Sequence, residues 1–218
     1  MITTTRPKVI FLDAVGTLFG VKDNVGIIYC QIAQKYGVIA NSDEINNNFY
    51  QAFKASDPLA FGQVKVEEIR KLEYIWWKKI AYVTFKKANL INKFSDFNQF
   101  FLELYRYFKT DAPWYVYDEI ETQLKQWQSE KIQLGIISNF DTRIYSVLES
   151  LQLKSYFQTI TISSLTGVAK PNPKIFQQAL QKHNCSPEDA WYIGDSFQED
   201  YLGAKSVGLK SLWLKRSN

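Results

Sequence analysis

Five short apolar runs, separated by stretches with helical spacing, restrict the fold of this chain more than any other feature. The first, Val9-Ile10-Phe11-Leu12, is continuous and ends in Asp13. An unbroken apolar run of this length suits a strand covered on both faces, as in a parallel sheet. Residues 132–138, 158–162, 191–195 and 211–214 repeat the pattern. Between them, residues 119–128, 142–151, 173–183 and 199–206 place apolar side chains three and four apart, the spacing of a helix face. Alternating strands and helices predict an α/β fold, with a Rossmann-like parallel sheet as the core.

Residues 19–112 break this alternation. Val66, Ile69, Leu72, Trp76, Ile80 and Val83 form one helical stripe, and residues 25–36, 42–54 and 95–108 read as further helices. Ser42 has N-cap character, Ser95-Asp96 opens another helix, and Pro58 separates two of them. Tyr74, Trp76 and Trp77 are read as packing residues of this module. The expected organisation is a core domain of residues 1–18 and 113–218 interrupted by an α-helical domain of residues 19–112. An insertion directly after the first strand overhangs the carboxyl ends of the strands, where open α/β sheets bind ligands.

Charge and composition narrow the function. The net charge is +4 over 218 residues, too weak and dispersed for a nucleic-acid surface. The Lys78-Lys79 and Lys86-Lys87 pairs read as a solvated helix face. Two distant cysteines, Cys30 and Cys185, have no metal-ligand spacing, and a single histidine, His183, excludes a two-histidine zinc site. His183 lies in a polar stretch and reads as a loop residue. The first apolar run is too short to span a bilayer, no secretory signal precedes it, and a cytoplasmic location without membrane partners is expected.

Four polar segments carry the chemistry. Asp13-Ala14-Val15-Gly16-Thr17 places a carboxylate directly after a buried strand, which is costly unless it is paired or metal-bound. Ser138-Asn139 offers neutral donors to an anion. Lys170, ahead of Pro171 and Pro173, sits in a conformationally restricted loop. Gly194-Asp195-Ser196-Phe197-Gln198-Glu199-Asp200 gathers acidic oxygens suited to Mg²⁺, a hard cation.

In this order, with spacings of 125, 32 and 25 residues between Asp13, Ser138, Lys170 and Asp195, the segments resemble the motifs of the haloacid dehalogenase-like (HAD) hydrolases. The resemblance covers nearly the whole chain and is to the subfamily with a helical cap between the first and second motifs. It implies that Asp13 is a nucleophile forming an aspartyl-phosphate. Ser138, Asn139 and Lys170 would hold the phosphoryl group of a small phosphorylated or otherwise anionic metabolite. Mg²⁺ would be bound by Asp13, Asp195 and the Val15 carbonyl, with Asp200 and Thr17 supporting from outside. The family's phosphatases usually carry a second aspartate at the position of Val15, where it serves as general acid and base. A valine there leaves three readings open: a specialised phosphoryl hydrolase, a 2-haloacid dehalogenase, or a catalytically weak binding or regulatory protein. A phosphonate-cleaving route would need a cap lysine, with Lys22 and Lys35 as candidates. Oligomeric state is open.

Overall fold

The computed structural model describes residues 6–216. The chain enters through β1 (Val9–Leu12) and turns into a short strand, β2 (Phe19–Val21). Four helices follow: α1 (Val25–Gln34), α2 (Ser42–Lys54), α3 (Val66–Lys87) and α4 (Phe97–Tyr107). The chain returns through β3 (Trp114–Val116), α5 (Ile120–Ser129), β4 (Gln133–Ser138), α6 (Ile144–Ser150), β5 (Thr159–Ile162) and α7 (Ser163–Thr166). It closes with α8 (Pro173–Lys182), β6 (Ala190–Gly194), a π-helical turn (Phe197–Leu202), α9 (Gly203–Lys205) and β7 (Lys210–Trp213).

β1, β4, β5, β6 and β7 form one parallel sheet in the order β5-β4-β1-β6-β7. The alternation of side chains along β1 explains its unbroken apolar run. Ile10 and Leu12 face a core built with Leu124 of α5 and Ile144, Val147 and Leu148 of α6. Val9 and Phe11 face the opposite core, with Ile175, Phe176 and Ala179 of α8. The register sets Leu12 beside Ile136 on one side and Ile193 on the other. Asp13 and the ends of β4 and β6 therefore emerge along one edge, at the point where the strand order reverses direction.

α1 to α4 enclose a separate apolar core that includes Ile32, Ile45, Phe49, Ile80, Phe85 and Phe100. Three local readings need correction. Asn41, not Ser42, caps α2, its side chain accepting from the backbone N–H groups of Asp43 and Glu44. On α3, Val66 is 68% exposed, and the buried face includes Ile69, Glu73, Ile80 and Thr84. A carboxylate inside that face is invisible to an apolar pattern, because its partner lies on another element. Finally, residues 19–21 are extended rather than helical, and β2 pairs antiparallel with β3. Three-residue strands are too short to show a periodicity. Both chain crossings between the sheet and the helices thus run side by side in one ribbon. No helix among the described residues is long and apolar enough to cross a membrane.

Candidate active site

Lys170 organises the polar centre at the strand ends. Its ammonium donates to Asp13 Oδ1 at 2.7 Å, Asp200 Oδ1 at 2.5 Å and the Tyr192 hydroxyl at 2.9 Å. The Tyr192 hydroxyl in turn lies 2.7 Å from Asp200 Oδ1 and 3.1 Å from the Ile137 carbonyl. All four residues are buried. Burial raises the Asp13 pKa to about 7, against the pull of Lys170. Burial alone would lower the Lys170 pKa, but Asp13 and Asp200 together raise it. Tyr192 stays neutral, its pKa raised by burial and by the Asp200 charge.

Local backbone geometry brings the acids together. Gly16 has φ +90°, and a methyl group on it would meet the Asp195 carboxylate at 2.5–2.8 Å. Only a residue without a side chain lets the loop after β1 pass this close to Asp195. A side chain on Gly194 would collide with the Asp200 carboxylate. Asp200 sits in the π-helical turn, a geometry frequent at functional sites, and its Oδ2 accepts from Ser196 N at 2.9 Å. Thr17 is buried and donates weakly to Asp195 Oδ1 at 3.4 Å. Partial desolvation and the neighbouring Asp200 raise the Asp195 pKa.

Oxygens of Asp13, Asp195 and Asp200 lie within 4.8 Å of one another. Among the described residues Lys170 is the one ammonium bonded to this group, so three ionised carboxylates would leave two negative charges uncompensated. An all-oxygen donor set with that excess fits a hard divalent cation such as Mg²⁺.

Ser138 ends β4 and lines a cavity of about 440 Å³ with Asp13, Lys170 and Asp195. Asn139 borders the same cavity, but its amide is engaged: Oδ1 accepts from Lys170 N at 2.7 Å, and Nδ2 donates to the Lys170 carbonyl and to Glu199, both at 3.0 Å. Asn139 thereby holds the Lys170 loop against β4. The helical module covers the cavity with Phe53, Asp57, Pro58 and Trp76. Trp76 is thus a cavity wall rather than core packing alone. Trp77 reaches across the junction and donates to Asp141 Oδ2 at 2.5 Å. Tyr74 packs on Phe101, with ring centroids 4.9 Å apart, as its reading as a packing residue expects. Lys35 is tied to Glu103 at 2.6 Å on the surface, and Lys54 is the lysine of the helical module that lines the cavity. His183 caps the end of α8 and bonds Thr159 and Gln133, each at 2.7 Å.

Several supporting residues escape a reading of the sequence. Glu73 of α3 is fully buried and accepts from Thr142 N at 2.9 Å and Thr142 Oγ1 at 2.5 Å, in the loop after Ser138-Asn139. Asp141 and Arg143 form a buried ion pair at 2.6 Å. Trp213 Nε1 donates to the Asp195 carbonyl at 2.9 Å, and Arg216 donates to the Gly16 and Thr17 carbonyls at 2.8 and 2.6 Å. The alternation of β6 buries Tyr192, but nothing in its spacing points to Lys170.

The family model for haloacid dehalogenase-like hydrolases matches residues 37–214. The chain belongs to the haloacid dehalogenase-like hydrolases. It is 30% identical over 206 residues to the Mus musculus haloacid dehalogenase-like hydrolase domain-containing protein 3, covering 91% of this chain and 78% of that protein. Among solved structures, it resembles the Bacillus subtilis HAD-hydrolase YfnB bound to magnesium, with a TM-score of 0.75 and 17% identity over 96% of this chain and 89% of that one. The L-2-haloacid dehalogenase from Xanthobacter autotrophicus gives a TM-score of 0.71 and 15% identity over 97% and 79% of the two chains. At these identities the structural likeness carries the fold, and the HAD-like α/β fold is the one described above.

Proposed function

We propose that this HAD-like hydrolase cleaves a small phosphorylated metabolite through an aspartyl-phosphate at Asp13. The observation that carries this reading is the buried Asp13–Lys170–Asp200 array beside Asp195, at the carboxyl ends of adjacent parallel strands. Asp13 attacks phosphorus. Lys170 offsets the repulsion between that carboxylate and the incoming anion, while Ser138 adds a neutral donor. Asn139 fixes the Lys170 backbone, and Asp200 and Tyr192 aim its ammonium. Asp13, Asp195 and the Val15 carbonyl are the proposed holders of Mg²⁺. When bound, the ion neutralises charge on the transferring phosphoryl oxygens. Residues 19–112 act as the cap, excluding water above the cavity.

Val15 sets the character of the site. It can neither protonate a leaving group nor activate water, and losing such a group costs roughly 10²–10⁴-fold in rate. The substrate therefore needs a leaving group that departs without a proton.

Dehalogenation is the second reading, favoured by Val15, since the family's dehalogenases also lack the second aspartate. Such a site needs a cation for the substrate carboxylate. Arg143, which lines the adjoining cavity, has its Nε and Nη2 within 2.6–3.1 Å of Asp141 and is already neutralised. The deciding experiment is time-resolved hydrolysis of 4-nitrophenyl phosphate with Mg²⁺ by wild type, Val15→Asp and Asp13→Asn. A burst in wild type, steady turnover in Val15→Asp and silence in Asp13→Asn are expected. Full activity in Asp13→Asn would remove the nucleophile. No burst in either of the other two would remove phosphoryl transfer.

A further inference from the structure

The cavity over Asp13 has a neighbour that shares part of its wall. Val15, Phe53, Asn139 and Phe140 border it and also border a second cavity of about 250 Å³ between the sheet edge and α1 to α4. That volume exceeds the ~150 Å³ at which an apolar cavity holds benzene. Its walls include Tyr29, Trp77, Tyr105, Phe108 and Trp114. The Arg143 guanidinium is bound by Asp141 and stacks over the Tyr105 ring at 4.0 Å and the Trp77 ring at 5.1 Å, so the cation here offers no free charge. A space of this shape accepts a flat, uncharged ring and disfavours a polar sugar or a second phosphate.

We infer that this second cavity receives the leaving group of the substrate, and that the substrate class is an aryl phosphate. The inference rests on the phosphoryl-transfer reading above and deepens it. Two independent features agree. The walls are aromatic, and Val15, which cannot protonate a leaving group, is one of the four residues that border both cavities. A phenolic oxygen has a pKa of about 10, as in tyrosine, against about 15.7 for water. It departs as the anion where an alkyl oxygen requires an acid. In the first step the Asp13 carboxylate oxygen bonds to phosphorus, the bond from phosphorus to the ring oxygen breaks, and its electron pair leaves on the phenolate. No proton moves. In the second step water attacks phosphorus and the bond to Asp13 breaks. The electron pair returns to the carboxylate, and both water hydrogens remain on the product as dihydrogen phosphate.

Asp13→Asn, in which turnover is expected to stop, is titrated calorimetrically in Mg²⁺ with inorganic phosphate, methyl phosphate and phenyl phosphate. Phenyl phosphate is expected to bind at least five-fold more tightly than methyl phosphate. Phe53→Ala, at a 43% exposed position, is expected to reduce that ratio at least two-fold in the same background, with the melting transition checked to show that the variant is folded. A smaller preference, with all three ligands binding, overturns the aryl assignment and leaves the phosphoryl site standing. A preference indifferent to Phe53→Ala overturns the placement of the ring. Failure of all three to bind overturns the phosphoryl reading and this inference with it.

Discussion

Tyr192→Phe isolates one oxygen atom. The ring stays, so its edge contact with Phe176, at 5.4 Å between centroids, is kept. What goes is the hydroxyl that accepts from Lys170 at 2.9 Å and sits 2.7 Å from Asp200. A hydrogen bond to a charged group contributes roughly 1.5–3 kcal/mol. Two such bonds share this one oxygen, so their losses do not add. Lys170 also keeps two carboxylate partners, Asp13 and Asp200, which limits the damage. We expect a loss of about 2–3 kcal/mol. For a chain of this size each kcal/mol moves Tm by roughly 2–4 °C, so the transition should fall by about 4–12 °C. Calorimetry gives the shift, and urea unfolding at constant m-value checks that only stability changed. A Tm within about 1 °C of wild type would show that the hydroxyl is a bystander and that the carboxylates alone position Lys170.

Mg²⁺ should raise the wild-type Tm by binding the folded state, and Asp195→Ala should abolish that rise; an undiminished rise in the variant would move the metal elsewhere. Gly16→Ala places a methyl against the Asp195 carboxylate at a φ of +90°, and should lower both stability, by about 1 kcal/mol or more, and Mg²⁺ affinity. Wild-type melting behaviour or metal affinity would contradict the close approach. For Glu73, burial raises the carboxyl pKa above 4.5, so the folded protein holds that proton more tightly than the unfolded chain. The contribution is complete below the unfolded value and is lost as pH rises through the folded one. The stability of wild type relative to Glu73→Gln should therefore improve as pH falls from neutrality toward 4.5. A difference that is flat or reversed with pH would contradict the burial argument.

How far the sequence could be read depended on the range of the interactions involved. β1 and β4 announced themselves because burial on both faces demands an uninterrupted apolar run, whereas β7, at the sheet edge, is largely exposed and was legible as a short run alone. Asp13, Ser138, Lys170 and Asp195 were legible as an ordered set whose spacing resembles the family's motifs, each signal being weak by itself. Glu73 was not, since its justification is Thr142, far along the chain and across the junction. The same holds for Tyr192 and Arg216. The engagement of Asn139 was equally hidden: the resemblance to the family placed it beside the anion site, but only the fold shows its amide spent on the Lys170 backbone. The β2–β3 ribbon failed for a different reason, having too few residues per strand to carry a period.

That ribbon has a mechanical meaning. A body attached through two adjacent, hydrogen-bonded strands resists shear and stretch but keeps one soft coordinate, rotation about the ribbon. The contacts from α3, Glu73 to Thr142 and Trp77 to Asp141, join the helices to the sheet domain at elements other than the ribbon. Both end on the loop that begins with Ser138-Asn139. The helices and the Lys170 backbone are thus tied to one and the same loop, through Thr142 and Asp141 on one side and Asn139 on the other.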